Sequence, residues 1–188
     1  MKRTLLALAL STAALSANAA DLNYNYVQGS YNSVDIDGAD LDGFGIKGSL
    51  KFNDMFYGAA GYESYSEGSA ELDETSVGLG FRKSVGARTD WINELSYVHD
   101  SADAGYFGDV SDSGYRVATG LRGMVSDNIE LTGKLNYTDV GDFGNGIGVN
   151  LGGVYHVNDM FGITAGYDYA DRDDTDLNSW NIGARVSF

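Results

Sequence analysis

Residues 179–188 read Ser-Trp-Asn-Ile-Gly-Ala-Arg-Val-Ser-Phe, and apolar side chains occupy every second position of this stretch. One face carries Trp180, Ile182, Ala184, Val186 and Phe188, and the other carries Asn181, Gly183, Arg185 and Ser187. Side chains alternate across a strand with a period of two residues, whereas a helical face repeats every 3.6. The stretch therefore predicts a β-strand with one wholly apolar face.

The same alternation recurs along the chain from Leu22 onward. It predicts ten strands, at about residues 22–32, 42–52, 56–64, 73–82, 89–99, 112–124, 129–139, 146–157, 161–169 and 178–188. Short connections alternate with longer acidic ones, which are expected as loops at 33–41, 65–72, 100–111, 139–145 and 170–177. Short turns at one end and long loops at the other are typical of an all-β, up-and-down antiparallel meander.

Composition narrows the class of protein. The chain has 188 residues with 26 Gly, no Pro and no Cys, and its formal net charge is −15. The absence of Cys excludes disulfides, thiolate metal sites and a Cys nucleophile. The acidity argues against nucleic acid as a partner, because phosphates would be repelled. Proline is excluded from the interior of paired strands, so its absence agrees with a chain that is nearly all sheet.

Residues 1–19 have the features of a secretory signal peptide, which leaves residues 20–188 as one domain. Lys2 and Arg3 give the charged start, residues 4–15 the apolar run, and Ala17-Asn18-Ala19 a small-x-small cleavage site. The apolar run falls short of the roughly twenty residues that a transmembrane helix needs. The segment therefore predicts export of the remaining chain.

The two faces of the predicted strands distinguish a membrane barrel from a soluble β-sandwich. The apolar face is almost free of charge and is edged by aromatic residues such as Tyr62, Tyr97 and Tyr155, as interfacial girdles are. The opposite face is rich in glycine, which weakens strands but leaves room inside a narrow barrel. Because closure also pairs every backbone group, as hydrocarbon surroundings demand, we predict a transmembrane β-barrel.

The signal sequence, the alternating strands and the closing strand at 179–188 resemble those of the small outer-membrane β-barrel family of Gram-negative bacteria. That family contains OmpX-like proteins and the OmpA transmembrane domain. The resemblance implies an outer-membrane location, contact with outer-membrane lipids and lipopolysaccharide, and recognition by the outer-membrane assembly machinery. The residues that this machinery would read are Trp180, Ile182, Val186 and Phe188. The best-known members have eight strands, so eight is the alternative to ten.

Charged residues on the glycine-rich face form the main candidate site, a charge network in the lumen. The basic members are Lys47, Lys51, Arg82, Arg116, Arg122, Lys134 and Arg185, and the acidic members are Glu63, Glu74, Glu94, Glu130 and Asp168. Charges inside a protein are retained when they pair, and a narrow barrel is largely filled by its side chains. We therefore expect a charge-paired, plugged lumen, with a narrow channel or porin for small solutes as the alternative.

The predicted loops hold most of the acidic residues. Asp35, Asp37, Asp40 and Asp42 surround Gly38 at spacings that suit calcium, which prefers carboxylate oxygens. They are candidate calcium ligands, shared with lipopolysaccharide phosphates, although no helix precedes them and no Glu occupies the twelfth position of the loop. The alternative is a solvated acidic fringe that resists aggregation, and no other cofactor is expected.

An enzymatic interpretation requires a base, and the chain has two histidines, His99 and His156. His156 falls on the inward face. His99 and Ser101 are similar in spacing to the His and Ser of outer-membrane lipid A deacylases, where the His activates the hydroxyl toward an acyl ester. An Asn follows the Ser in those enzymes, whereas Ala102 follows it here. We predict no enzymatic activity and a structural or surface-interaction role, with an acyl hydrolase as the second alternative to a channel.

Overall fold

The computed structural model describes residues 22–36, 38–68, 70–103, 109–173 and 175–188, so the predicted signal peptide lies outside the described residues. Within these ranges no helix is long and apolar enough to cross a membrane. A short 3-10 helix covers Gly141–Phe143. The strands are β1 Tyr26–Ile36, β2 Ala39–Lys51, β3 Phe56–Glu67, β4 Ala70–Gly86, β5 Thr89–Asp103, β6 Asp109–Met124, β7 Ile129–Asp139, β8 Asn145–His156, β9 Phe161–Arg172 and β10 Thr175–Ser187.

The sheet closes on itself as an antiparallel barrel. Consecutive strands pair in chain order, and β1 completes the circle by pairing with β10, with Tyr31 opposite Ile182. The prediction of ten strands is confirmed, and the alternative of eight is wrong. Closure gives each strand two neighbours and so satisfies the backbone groups of the wall.

The strands extend beyond the predicted boundaries at one end of the barrel, here called the hairpin end. β4, β5 and β6 have 17, 15 and 16 residues, whereas a tilted strand needs about 9–11 to cross a bilayer. The prediction of long loops is therefore wrong for most of 33–41, 65–72, 100–111 and 170–177. The apolar alternation stops where the lipid layer would stop, but backbone pairing continues into polar sequence, as between Asp35 and Asp40.

The outer face of the wall is apolar. Leu79, Leu95 and Ile147 are 61–65% exposed on this face, an arrangement that suits lipid around the barrel. Aromatic side chains meet in pairs near its edges, such as Tyr31 with Trp180, whose ring centroids lie 5.7 Å apart. The residues predicted to be read during assembly also lie on this face, namely Trp180, Ile182, Val186 and Phe188.

The opposite end, here called the short-turn end, is filled from within. The segment before β1 enters the barrel, where Tyr24 packs on Tyr57 with ring centroids 4.8 Å apart and Ile92 completes a buried cluster. The Tyr57 ring lies over Gly80, on which a Cβ atom would come within 2.1 Å of the ring. At this position, glycine in the wall provides the space that an interior aromatic ring occupies.

Candidate functional site

The barrel interior brings together charged side chains from distant parts of the sequence. Every second side chain of a strand points into the barrel. The register between paired strands then decides which of these inward side chains are neighbours. The interior has two parts. The floor, at the short-turn end, contains Tyr24, Arg82, Asp90, Arg122, Glu130 and Arg185, and the upper lumen, toward the hairpin end, contains Lys47, Glu63, Glu74, Asp100, Arg116 and Arg172.

Glu130 is the centre of the floor. Its two carboxylate oxygens accept from Nε and Nη2 of Arg122 at 2.9 and 3.0 Å, and Oε1 also accepts from Nη1 of Arg185 at 3.1 Å. Nη2 of Arg122 donates in addition to the carbonyl of Asn23, at 2.8 Å. Since Glu130 is 1% exposed, this carboxylate depends on its two arginine partners.

Tyr24 ties the segment before β1 into the same floor. Its hydroxyl donates to Oδ2 of Asp90 at 3.0 Å, and Nη1 of Arg82 donates to the same oxygen at 3.0 Å. The guanidinium groups of Arg82 and Arg122 lie 4.6 and 4.3 Å from the centroid of the Tyr24 ring. Both arginines are therefore held by cation–π contact as well as by ion pairing.

Glu94 lies between the floor and the upper lumen. Its Oε1 accepts from the hydroxyl of Tyr57 at 2.8 Å, and its Oε2 lies 2.8 Å from Nζ of Lys134. This carboxylate links the aromatic cluster of the floor to the charges above it. The Glu94–Lys134 ion pair therefore lies next to the buried Tyr57 side chain.

The upper lumen contains further ion pairs in a more open setting. Nζ of Lys47 lies 2.9 Å from Oε1 of Glu63, and the Lys47 side chain is 45% exposed. Glu74 accepts bidentately from Nη1 and Nη2 of Arg116, at 2.8 and 2.7 Å. Nε of Arg116 donates to the hydroxyl of Thr138 at 3.0 Å, which fixes the plane of the guanidinium.

A ladder of amides continues this polar lining across β7 to β10. Nδ2 of Asn136 donates to Oδ1 of Asn150 at 2.8 Å, and Nδ2 of Asn150 in turn donates to Asp168. Nδ2 of Asn181 donates to the second oxygen of Asp168 at 3.4 Å. Asp168 is thus held by amides rather than by a basic partner.

These side chains surround a cavity of about 660 Å³ that runs along the barrel axis. Its lining begins at Tyr24 in the floor and reaches Asp142 and Asp173 in the turns of the hairpin end. Below it, Tyr24 and Ile92 are 2% exposed and Glu130 is 1% exposed. The lumen is therefore a deep pocket with a sealed floor, and not a uniformly filled plug.

Lys51 lies apart from the other predicted lumen charges. Its Nζ lies 2.8 Å from Oδ1 of Asp54 in the short turn at 52–55, and the Asp54 side chain is 93% exposed. The hydrogen bond and charge of Lys51 hold the pKa of the Asp54 carboxyl below its usual range. This pairing corrects the expectation that Lys51 joins the lumen network, because Lys51 is the last residue of β2, at the rim of the barrel, where Asp54 of the turn is its partner.

Four further residues complete the interior and lie outside the predicted lumen network. Asp100 and Arg172 fall in predicted loops, although each continues the inward parity of its strand, and Nη1 of Arg172 donates to Oδ2 of Asp100 at 3.3 Å. Asp90 has the same parity as Glu94 and would have been found by extending the inward face toward the turn. Tyr24 falls within the predicted strand at 22–32 and has inward parity, but β1 begins only at Tyr26, so parity does not predict that this residue closes the floor.

Of the acidic cluster, Asp35, Asp40 and Asp42 lie on the outward side of the β1–β2 hairpin. Oδ1 of Asp35 accepts from the backbone N–H of Gly38 at 3.3 Å, and Asp42 is the register partner of Ser33. Asp40 is the register partner of Asp35, and Asp37 lies outside the described residues. Over the part of the chain that is described, no three His, Asp or Glu side chains are placed to hold a metal ion.

His99 also lies on the outer face, toward the hairpin end. Its Nδ1 lies 2.9 Å from Oγ of Ser113 on the neighbouring strand, and the hydroxyl of Tyr97 donates to the same Oγ at 2.7 Å. The register places His99 opposite Ser113, whereas Ser101 stands opposite Ser111. The serine adjacent to His99 is therefore supplied by β6, and not by the His-x-Ser spacing.

The sequence matches a known protein family over nearly its whole length. Residues 4–188 match the family model described as outer membrane protein beta-barrel domain. The chain belongs to this family. Membership confirms the resemblance inferred from the strands and the location in the outer membrane of a Gram-negative bacterium.

Solved structures with a similar fold include barrels from several sources. The NanC porin is 13% identical with a TM-score of 0.47, covering 87% of this chain and 100% of that chain. The N-terminal β-barrel domain of Pseudomonas aeruginosa OprF is 14% identical with a TM-score of 0.46, covering 88% and 100%. Ail, the attachment invasion locus protein of Yersinia pestis, is 18% identical with a TM-score of 0.43, covering 87% and 95%. No curated protein matches the sequence.

Family membership also orients the barrel. Outer-membrane barrels have short periplasmic turns and longer extracellular connections. The short-turn end with its sealed floor therefore faces the periplasm, and the hairpin end with the upper lumen faces the cell exterior.

Proposed function

We propose that this protein is a closed outer-membrane barrel with a structural or surface-interaction role rather than a transport role. The sealed floor is the observation that carries the proposal. Tyr24, Tyr57 and Ile92 close the periplasmic end, and Arg122 and Glu130 form a buried ion pair beside them. An ion crossing the barrel would have to displace these side chains, which are held by mutual pairing and burial.

The hairpin end supports the surface-interaction part of the proposal. β4, β5 and β6 exceed the length needed to cross the bilayer, so their outer parts stand above the membrane. β6 begins at Asp109, but its pairing with β7 begins only at Tyr115. Within 109–114, Asp112 already accepts from the backbone N–H of Asp142 in the 3-10 helix, so only residues 109–111 leave a short strand edge, and such edges can accept a further strand from another protein.

Membrane contacts form part of the same proposal. The apolar outer belt is suited to outer-membrane lipids, and the acidic hairpins stand at the level of the lipopolysaccharide head groups. β10 presents Trp180, Ile182, Val186 and Phe188 outward, where the assembly machinery would read them before the barrel closes.

Conductance across a planar bilayer tests the closed-barrel proposal. The purified full chain should give no discrete ion steps, because the floor is sealed. The double variant Tyr24→Ala, Tyr57→Ala removes the aromatic floor and should give discrete steps, which also verifies insertion. Steps from the unmodified protein that disappear in Arg116→Gln would establish the channel instead.

Outer-membrane barrels of this family are generally not enzymes, and the proposal extends this to the present chain. Lipid A isolated from cells with and without His99→Ala should have the same acylation by mass spectrometry. A change in acyl number that depends on His99 would establish the hydrolase alternative.

A further inference from the structure

Lys83 differs from the other basic side chains in having no carboxylate partner. Every other Lys and Arg of the described ranges lies within 3.3 Å of a carboxylate oxygen, whereas Lys83 forms no ion pair with any residue that the structure describes. It is exposed near the end of β4, two positions after Phe81, and so lies on the outer face at the periplasmic rim. Its register partner is Trp91, which is 41% exposed.

The acidic residues of the two neighbouring turns do not neutralise Lys83. Oδ1 of Asp54, between β2 and β3, lies 2.8 Å from Nζ of Lys51. Oδ1 of Asp127, between β6 and β7, lies 3.0 Å from Nη1 of Arg88. The outer face beside Lys83 therefore carries an uncompensated positive charge, although the whole chain is strongly acidic. Such a charge at a membrane surface attracts anionic lipid head groups.

A polar pair lies on the same outer face, one step further into the lipid belt. Asn93 follows Trp91 by two residues on β5, and its register partner is Thr119 of β6. The hydroxyl of Thr119 accepts from Nε1 of Trp91 at 3.0 Å and donates to Oδ1 of Asn93 at 2.9 Å. The residues on either side of the pair, Phe81 and Leu135, are apolar. Within the described part of the chain nothing accepts from Nδ2 of Asn93, so this donor is left to the lipid.

The spacing of Lys83 and Asn93 fits the polar part of a glycerophospholipid. Trp side chains mark the head-group level of a membrane, and two residues of a tilted strand rise about 5 Å along the barrel axis. Lys83, beside Trp91, therefore stands at the level of a lipid phosphate. Asn93 stands at the level of the ester carbonyls, which are the acceptors nearest to it, because hydrocarbon offers an amide donor none.

We propose that the outer face of β4, β5 and β6 near the periplasmic rim binds an anionic glycerophospholipid, with its phosphate on Lys83 and an ester carbonyl on Nδ2 of Asn93. An anionic head group such as phosphatidylglycerol is favoured, because the ammonium of phosphatidylethanolamine would repel Lys83. The proposal names the lipid class for the membrane contacts of the proposed function and rests on those contacts. It does not depend on the closed floor, which conductance tests separately.

Quenching of Trp91 by brominated lipids tests the site. Trp180 lies near the opposite rim, and Trp180→Phe leaves Trp91 as the only tryptophan of the chain. The full-length barrel is placed in phosphatidylcholine vesicles with a minor fraction of phosphatidylglycerol or phosphatidylethanolamine that carries bromine on its acyl chains. Half-quenching should require about fivefold less phosphatidylglycerol, since one lysine near an anionic lipid changes affinity by about this factor. Equal requirements for the two lipids would overturn the proposal.

Lys83→Met, made in the same single-tryptophan barrel, removes the charge and keeps the length of the side chain. The preference for phosphatidylglycerol should be lost, and heat-modifiable gel mobility verifies that the barrel forms. The matched control is Lys51→Met, which removes the same charge from the same rim but from a side chain that is paired with Asp54. It should leave the preference unchanged. An equal loss in both variants would show that the preference reflects the total charge of the rim and would overturn the proposal.

Asn93→Leu tests the second contact. The single-tryptophan barrel should bind ester-linked phosphatidylglycerol at least about twofold more tightly than the ether-linked analogue, which lacks the carbonyl acceptor. Asn93→Leu should abolish this difference and keep the head-group preference, whereas Lys83→Met should do the reverse, so each variant is a control for the other. A difference between ester and ether lipids that persists in Asn93→Leu would overturn the assignment of Nδ2.

A second copy of the chain is the other occupant that this polar pair could contact. It would shield Trp91 from every brominated lipid alike, and light scattering in detergent would give the mass of a dimer. That combination of results would overturn the lipid site.

Discussion

The two halves of the lumen use the same chemistry in different surroundings. In the floor, Glu130 is 1% exposed and accepts from two arginines that are themselves buried. In the upper lumen, Lys47 and Glu63 approach each other just as closely, at 2.9 Å, yet the Lys47 side chain remains 45% exposed to the cavity. An equal distance between charges therefore does not mean an equal contribution to stability.

This difference separates the part of the lumen that is closed by buried side chains from the part that contains open space. Removing one partner of a fully buried pair leaves an uncompensated charge, whereas a hydrated pair contributes little. The floor is therefore rigidly specified, whereas the hydrated Lys47–Glu63 pair of the upper lumen can exchange partners at low cost. We therefore expect the free energy of unfolding to be more sensitive to substitutions in the floor than to substitutions at Lys47 or Glu63.

The largest loss of stability is expected on removing Glu130, the carboxylate that binds both Arg122 and Arg185 in the floor. Glu130→Ala leaves Arg122 and Arg185 buried without their carboxylate and should lower the free energy of unfolding by about 3–5 kcal/mol. Urea titration in lipid vesicles measures this loss through the fluorescence of Trp91 and Trp180, which lie on the outer face.

The matched change in the upper lumen is Glu63→Ala, which leaves Lys47 hydrated in the cavity. It should cost no more than about 1 kcal/mol. Equal losses in Glu130→Ala and Glu63→Ala would show that the two halves are energetically alike.

A methyl group added to the wall tests the packing of the two halves. Gly80→Ala places a Cβ 2.1 Å from the Tyr57 ring and should destabilise the barrel by about 1–3 kcal/mol through overpacking. Gly152→Ala is the control, since the nearest atom to its Cβ is 4.0 Å away, and it should change stability by less than about 0.5 kcal/mol. The same urea titration compares the two, and a larger loss at Gly152 than at Gly80 would contradict the open space beside Gly152.

Removal of one tyrosine hydroxyl from each half of the lumen should change the free energy of unfolding less than removal of Glu130. Tyr57→Phe removes a 2.8 Å hydrogen bond to Glu94 and should cost about 1.5 kcal/mol, since the acceptor is charged and buried. Tyr65→Phe removes a 3.4 Å contact with Glu63 and should cost about 0.5 kcal/mol. Parallel urea titrations give the unfolding midpoint of each variant. A lower midpoint for Tyr65→Phe than for Tyr57→Phe would contradict this ranking.

Much of the interior could be predicted from strand parity. Arg116 and Lys134 stand on the inward face because each alternates with outward apolar residues. Asp100 and Arg172 follow the same rule, but they lie in polar sequence where apolar alternation has ended. Their strands continue because backbone pairing, unlike lipid contact, requires no apolar side chain.

Strand parity places Tyr24 on the inward face of the predicted strand at 22–32, but it does not predict a closed floor. Tyr24 precedes β1, and its contact with Asp90 spans 66 residues of sequence. Parity predicts which charged residues lie on the inward face, but no local pattern shows that closure occurs at one end while a cavity remains above it. Side-chain size and the path of residues 22–25 decide that distribution.

By itself, the sequence determined the strands, the lipid-facing and inward faces, and closure into an outer-membrane barrel, because a period of two residues acts locally and hydrocarbon excludes unpaired backbone. Only the tertiary structure decided which charges meet. Arg116 reaches Glu74 across 42 residues and Arg185 reaches Glu130 across 55. Such pairs depend on strand register, tilt and barrel diameter, which are properties of the closed sheet and of no single strand.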